Sequence, residues 1–226
     1  MEIGKRTIGR KSSIKETKME RRMKKKIGII LLLTFCIIGG TGIRIYQVNE
    51  NVSIPRKVYY SINERVEFGN DFHVSANERI NGYAIQVLGA ELIDKEEYYQ
   101  KYHIIGEDRE AADSEDIKYY YVVRARVFNT KEQAEGKGFV VFNYPLVGKN
   151  YIINTNMATY NLINPDLPVG GGFSLRPGEE TEVLLPYAVS PSNEVEYETQ
   201  LKKKFEKNPP NLQITAYPTK KLIATK

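Results

Sequence analysis

Residues 27–43, IGIILLLTFCIIGGTGI, carry no charged side chain and follow directly on Lys24-Lys25-Lys26. No other stretch limits the possible folds so strongly. Wound as a helix at 1.5 Å per residue, the block rises about 26 Å. Arg44 can turn its head group toward water while Ile45, Tyr46 and Val48 lengthen the apolar reach. That length suits the hydrocarbon core of a bilayer, and a soluble fold has little use for such a run behind three lysines. The expectation is a single transmembrane helix over residues 27–46 that serves as a signal anchor.

The charge distribution supports this partition. Residues 1–26 hold 11 Lys and Arg against 3 Glu, a net of +8, whereas residues 44–226 carry 22 basic and 25 acidic side chains, a net of −3. A pI near 9.0 would fit a nucleic-acid binder, but the excess positive charge lies wholly in the short tail. Its placement answers to topology: basic flanks stay in the cytoplasm and attract anionic lipid heads, so residues 44–226 are expected outside the cell. The partner class implied is the membrane, and nucleic acid is set aside. A cleaved signal peptide is the competing reading, since Gly40 and Gly42 have the small size that a cleavage site needs. Cys36 is the sole cysteine. Phe35 precedes it, where a lipoprotein signal wants a small residue, so Cys36 is read as a membrane-buried structural thiol. The exported part then has no disulfide and depends on its own core.

Residues 47–57, QVNENVSIPRK, read as a polar linker, and residues 58–226 as one exported domain. Strand patterns dominate that domain. Short strands are expected at Val66–Phe68, Tyr151–Thr155 and Leu212–Tyr217. Longer ones are expected at Tyr83–Ile93, Lys118–Phe128, Phe139–Val147 and Thr181–Val189. In Lys118–Phe128, Tyr121, Val123, Ala125 and Val127 share one face, and Arg124 and Arg126 lie on the other. GKN between Phe139–Val147 and Tyr151–Thr155 suggests a three-residue hairpin loop with glycine at a positive φ. One short helix is expected from a capping box of Asp94 and Glu97 through about Tyr102. Residues 106–116, GEDREAADSED, read as a solvated acidic loop, and residues 190–210 as a charged connection with a short helix near Gln200–Phe205. The segment GGGFSLRPGEETEVLLPYAV raises the question of a phosphate cradle. Such cradles place glycines between a strand and a helix N-terminus. Here a strand pattern follows Gly172, and Arg176-Pro177-Gly178-Glu179 fits a type II turn. The segment therefore reads as strand, turn, strand, and the pattern as a whole as a mainly β, antiparallel β-sandwich.

Three pieces resemble a family of small Gram-positive surface proteins that carry one N-terminal transmembrane helix and a telokin-like, immunoglobulin-like extracellular domain of unknown function. They are YYVVRARVFNT at Tyr120–Thr130, FVVFNYPLVGKNYIINTN at Phe139–Asn156 and LRPGEETEVLLPYAV at Leu175–Val189. The likeness spans roughly residues 66–218. It implies an immunoglobulin-like antiparallel β-sandwich and brings no catalytic residues with it.

Chemistry is sparse. His73 and His103 are thirty residues apart in sequence with no ligand spacing between them, so no metal or other cofactor is expected. No G-x-S-x-G elbow occurs. Glu96-Glu97 and Glu179-Glu180 read as solvated faces, although a hydrolase would need such a pair in a cleft. The acidic loop lacks calcium-loop spacing. Tyrosines cluster at Tyr59-Tyr60, Tyr98-Tyr99-Tyr102 and Tyr119-Tyr120-Tyr121. Either they pad the sheet or they face a partner. The candidate contact surface is Tyr98, Tyr99, Tyr102, Arg124 and Arg126, facing a protein or cell-wall ligand. The expected function is a non-enzymatic binding or accessory module. The alternatives are a carboxylate-dependent extracellular hydrolase and a structural subunit of a membrane complex such as a transporter.

Overall fold

Apolar periodicity and turn residues organise the chain into two units, residues 1–54 and 55–226. The computed structural model describes residues 23, 26–46, 54–114, 116–130, 138–190 and 195–226. The basic tail apart from Met23 and Lys26, and residues 47–53 of the expected linker, lie outside them.

In the first unit, α1 (Lys26–Tyr46) is 21 residues long with a mean hydropathy of 2.0. Its large side chains are exposed, Leu32 by 64% and Phe35 by 75%. The hydroxyls of Thr34 and Thr41 donate to the carbonyls of Ile30 and Ile37, at 2.9 and 2.7 Å. A helix surrounded by hydrocarbon needs such internal partners.

The second unit is mainly β. A five-stranded mixed sheet runs β1 (Arg56–Tyr60), β11 (Thr219–Ala224), β10 (Asn211–Gln213), β6 (Leu146–Val147), β7 (Ile152–Ile153). A four-stranded antiparallel sheet runs β2 (Arg65–Glu67), β3 (Tyr83–Asp94), β4 (Tyr119–Asn129), β9 (Glu180–Val189), and β5 (Phe139–Val140) pairs with β8 (Gly172–Phe173). One core joins all three sheets: Ile85, Val87, Tyr121, Val123 and Leu185 meet Leu146, Leu212, Ile223, Phe139 and Phe173. Some of its tyrosines are held by hydrogen bonds from their hydroxyls. Tyr187 donates to the Tyr144 carbonyl at 2.6 Å. Tyr121 Oη reaches Thr225 Oγ1 at 2.7 Å, and Thr225 in turn donates to the Pro210 carbonyl.

Several expectations are corrected. The sheets are not purely antiparallel, because β1 pairs in parallel with β11. β1 also begins inside the expected linker. Among the described residues the domain holds four α-helices, two more than the helix after Asp94 and the short one near Gln200–Phe205. α2 (Lys95–Lys101) lies where expected, but the Asp94 side chain makes no capping hydrogen bond. The expected acidic loop contains α3 (Gly106–Ala112), with Glu107 and Asp108 at the favourable N-terminal end of the helix dipole and Ala112 buried. Arg109 of α3 grips the Glu96 carboxylate of α2. α4 (Met157–Ile163) starts at Asn156, whose Oδ1 accepts from the Thr159 N–H at 3.0 Å. α5 (Val195–Lys207) is longer than the expected turn of helix, and Phe205 drops from it into the core against Tyr121 and Tyr151.

The run Phe139–Val147 is not one strand, since a 3-10 turn at Val141–Asn143 separates β5 from β6. The following hairpin uses Gly148 for space rather than for a positive φ: a Cβ there would sit 2.1 Å from the Tyr151 ring. The type II turn stands as read. Gly178 has φ +83°, the Glu179 N–H donates to the Arg176 carbonyl at 3.0 Å, and the chain enters β9.

Candidate functional site

β3 alternates cleanly through Tyr83, Ile85 and Val87, all core-facing. The register with β4 then shifts between Val87 and Gly89. This bulge moves the strand by one residue, so Ala90 and Leu92 take over the core side and Glu91 turns to the outer face. Helices cover the far end of that face. Tyr98, Tyr99, Ile104, Ala112 and Ile163 pack there on Ile93, Tyr120 and Val122 as a second apolar cluster. Tyr98 stacks on Tyr120 with centroids 3.9 Å apart.

The cover ends where α2 does. His103 takes φ +54°, and the Ile104 N–H closes the helix by donating to the Tyr99 carbonyl at 2.9 Å. Below that edge lies an open cleft of about 400 Å³. Gly89, Ala90, Val122 and Leu184 line it from the sheet, and Glu91, Lys101, Tyr102 and Arg124 supply its polar groups. The Glu91 carboxylate pairs with the Lys101 ammonium and accepts from the Tyr102 hydroxyl at 3.4 Å. Burial pushes the Tyr102 phenol up to about 12, helped by the Glu91 charge, so it stays a donor throughout the neutral range. Arg124 is exposed.

The five expected contact residues therefore part company. Tyr102 and Arg124 meet in the cleft. Arg126 is drawn away by Glu182 at 2.6 Å and Glu180 at 3.5 Å. Tyr98 and Tyr99 are 0% and 1% exposed. They are corrected to packing residues, because α2 needs an apolar face to lie on β4. Sequence reasoning missed Gly89, Glu91 and Lys101. The available signal was the break in alternation at Leu88-Gly89 and the charge of Glu91 inside the apolar run Tyr83–Ile93.

Among the described residues, the cleft lining contains no Ser, Thr, Cys or His, and its carboxylate, Glu91, is already engaged. No group of three or more His, Cys, Asp or Glu side chains suited to a metal ion stands among the described residues. Glu96, Glu179 and Glu180 each sit against an arginine. His73 approaches Gln213 Nε2 at 3.3 Å, and burial lowers its pKa from the ordinary value. A second cleft, of about 320 Å³, lies between Ile80 and Tyr144. There the Glu78 carboxylate is occupied by the backbone N–H groups of His73 and Val74.

Fold and cleft together define a mainly β domain, preceded in the chain by one long apolar helix, with a shallow polar-rimmed site. The chain belongs to the family described as a domain of unknown function (DUF5028), which matches residues 57–221. Neither the curated proteins nor the solved structures include a match to it.

Proposed function

We propose that this is a membrane-anchored cell-surface protein whose extracytoplasmic domain, of the immunoglobulin-like sandwich type seen in small Gram-positive surface proteins, works as a non-enzymatic binding or accessory module. The observation that carries the reading is the chemistry of the cleft. Arg124 stands ready to recognise an anion, while Glu91 is tied to Lys101 and Tyr102 and has no Ser, Thr, Cys or His beside it among the described lining residues. General acid–base work needs a carboxylate free to exchange a proton with substrate. The apolar length of α1 and the basic charge before it support the anchor and its orientation.

Topology is tested with Asn150→Cys, at the exposed tip between β6 and β7, in a Cys36→Ala background. A membrane-impermeant maleimide should label intact cells; labelling only after lysis overturns the orientation. Turnover of peptide or cell-wall substrates by the purified full chain, abolished by Glu91→Gln, would replace the binding reading with a carboxylate hydrolase.

A further inference from the structure

We infer that the cleft beside α2 binds a small monocarboxylate carrying an aliphatic body, a deepening that rests on the binding-module reading above. Cross-strand register makes the difference between two arginines on the same face of β4. Arg126 lies opposite Gln86 on β3 and Glu182 on β9, and takes up the glutamate. Arg124 lies opposite Gly89 and Leu184, neither of which can accept a side-chain hydrogen bond. Its planar fork matches a carboxylate in the bidentate manner.

Charge balance selects the valence. Arg124 and Lys101 against Glu91 leave a single net positive charge, which one carboxylate neutralises; a dianionic phosphate would be repelled by Glu91. Space selects the rest of the ligand. A Cβ built on Gly89 meets no atom within 4 Å, so the room above the bulge is open. Val122 and Leu184 offer an apolar wall beside the guanidinium.

The test uses the full chain in detergent and saturation-transfer NMR. The probes are N-acetylleucine, its amide, N-acetyl-alanyl-leucine and inorganic phosphate. N-acetylleucine should bind, and the amide should bind about tenfold or more weakly, as loss of a charge-assisted pair implies. Arg124→Gln and Gly89→Leu should each produce a similar loss, with melting temperatures showing that both variants are folded, while Arg126→Gln binds as the parent does. Tighter binding of the dipeptide points to a peptide C-terminus as the source, and equal binding to free acids; either supports the carboxylate site. Phosphate or the amide binding as well as N-acetylleucine, or unaltered binding in Arg124→Gln, overturns it. Absence of binding by any probe removes the site, yet leaves the anchored module standing if Asn150→Cys is labelled from outside. Mass spectrometry of the recovered dipeptide separates the other case: cleavage would end the non-enzymatic reading while the site stood.

Discussion

Lys221 shows how one side chain can hold two sheets together. Its ammonium donates to Asp71 Oδ2 at 2.8 Å and to the carbonyls of Glu67 and Phe68 at 2.7 and 2.9 Å. Both members of the ion pair have side chains only 12% exposed. All three ammonium protons are used, and β11 is fastened to the turn after β2. Lys221→Met should cost about 3–5 kcal/mol, because Asp71 is left charged and nearly dry. Urea unfolding measures this, and a loss below about 1 kcal/mol would contradict it. His73 gives a residue-level pH dependence. Burial lowers its pKa below 6.5, against Glu78, which raises it, and Lys220, which lowers it further. The unfolded chain therefore binds the proton more readily. Stability is fully present above pH 6.5 and falls as the pH drops toward the folded value. His73→Gln should remove that part of the slope below about pH 6.5 in denaturant titrations.

At the scale of elements, β9 is an edge strand that has been closed by a side chain. Asn164, just past α4, donates from Nδ2 to the Leu184 carbonyl at 2.9 Å and accepts the Leu184 N–H on Oδ1 at 2.9 Å. The amide thus imitates one residue of a neighbouring strand, and Pro186 further along has no N–H to expose. Asn164→Ala should cost about 1–3 kcal/mol, the penalty for stranding a buried donor and acceptor, and should speed hydrogen exchange at the Leu184 amide well above that at Val123. Unaltered exchange would mean that water replaces the side chain freely. Legibility in the sequence followed the same logic of faces. Tyr83–Ile93, Lys118–Phe128 and Thr181–Val189 match β3, β4 and β9 to within a residue at each end, because a core on one side imposes period two. β1 and β11, RKVYY and TKKLIA, carry charges that hide their period. α3 and α4 are seven residues each, under two full turns, too short for a 3.6-residue pattern to stand out. Phe139–Val147 is apolar because much of it is buried, not because it is extended. Arg124 and Tyr102 were visible as an outer-face arginine and a helical tyrosine. Their meeting with Glu91 depends on a bulge and a helix end, which only register reveals. That Tyr98 and Tyr99 turn inward is likewise a matter of which way α2 rolls.

At the scale of the whole domain, the absence of Trp and the 16 Tyr make the core an alkaline-labile one. Tyr98, Tyr120, Tyr144 and Tyr187 are buried, and removal from water raises each phenol above its ordinary 10.0. Tyr151 and Tyr160 are pushed up to about 12 by the same cause. In the unfolded chain these phenols ionise near 10, so the folded state holds more protons above that pH. Their contribution to stability is intact below pH 10 and is lost as the pH climbs toward the folded values. No disulfide can resist this, since Cys36 is the sole cysteine and lies in α1. Absorbance at 295 nm should therefore show two stages on alkaline titration. Phenols in contact with water ionise first and reversibly while far-ultraviolet circular dichroism holds. The buried set then ionises together with loss of the β signal, in one cooperative step, and a reducing agent leaves that step where it is. Ionisation of all tyrosines in a single smooth curve near pH 10, with the dichroism unchanged, would show that the tyrosine-lined interior is open to water.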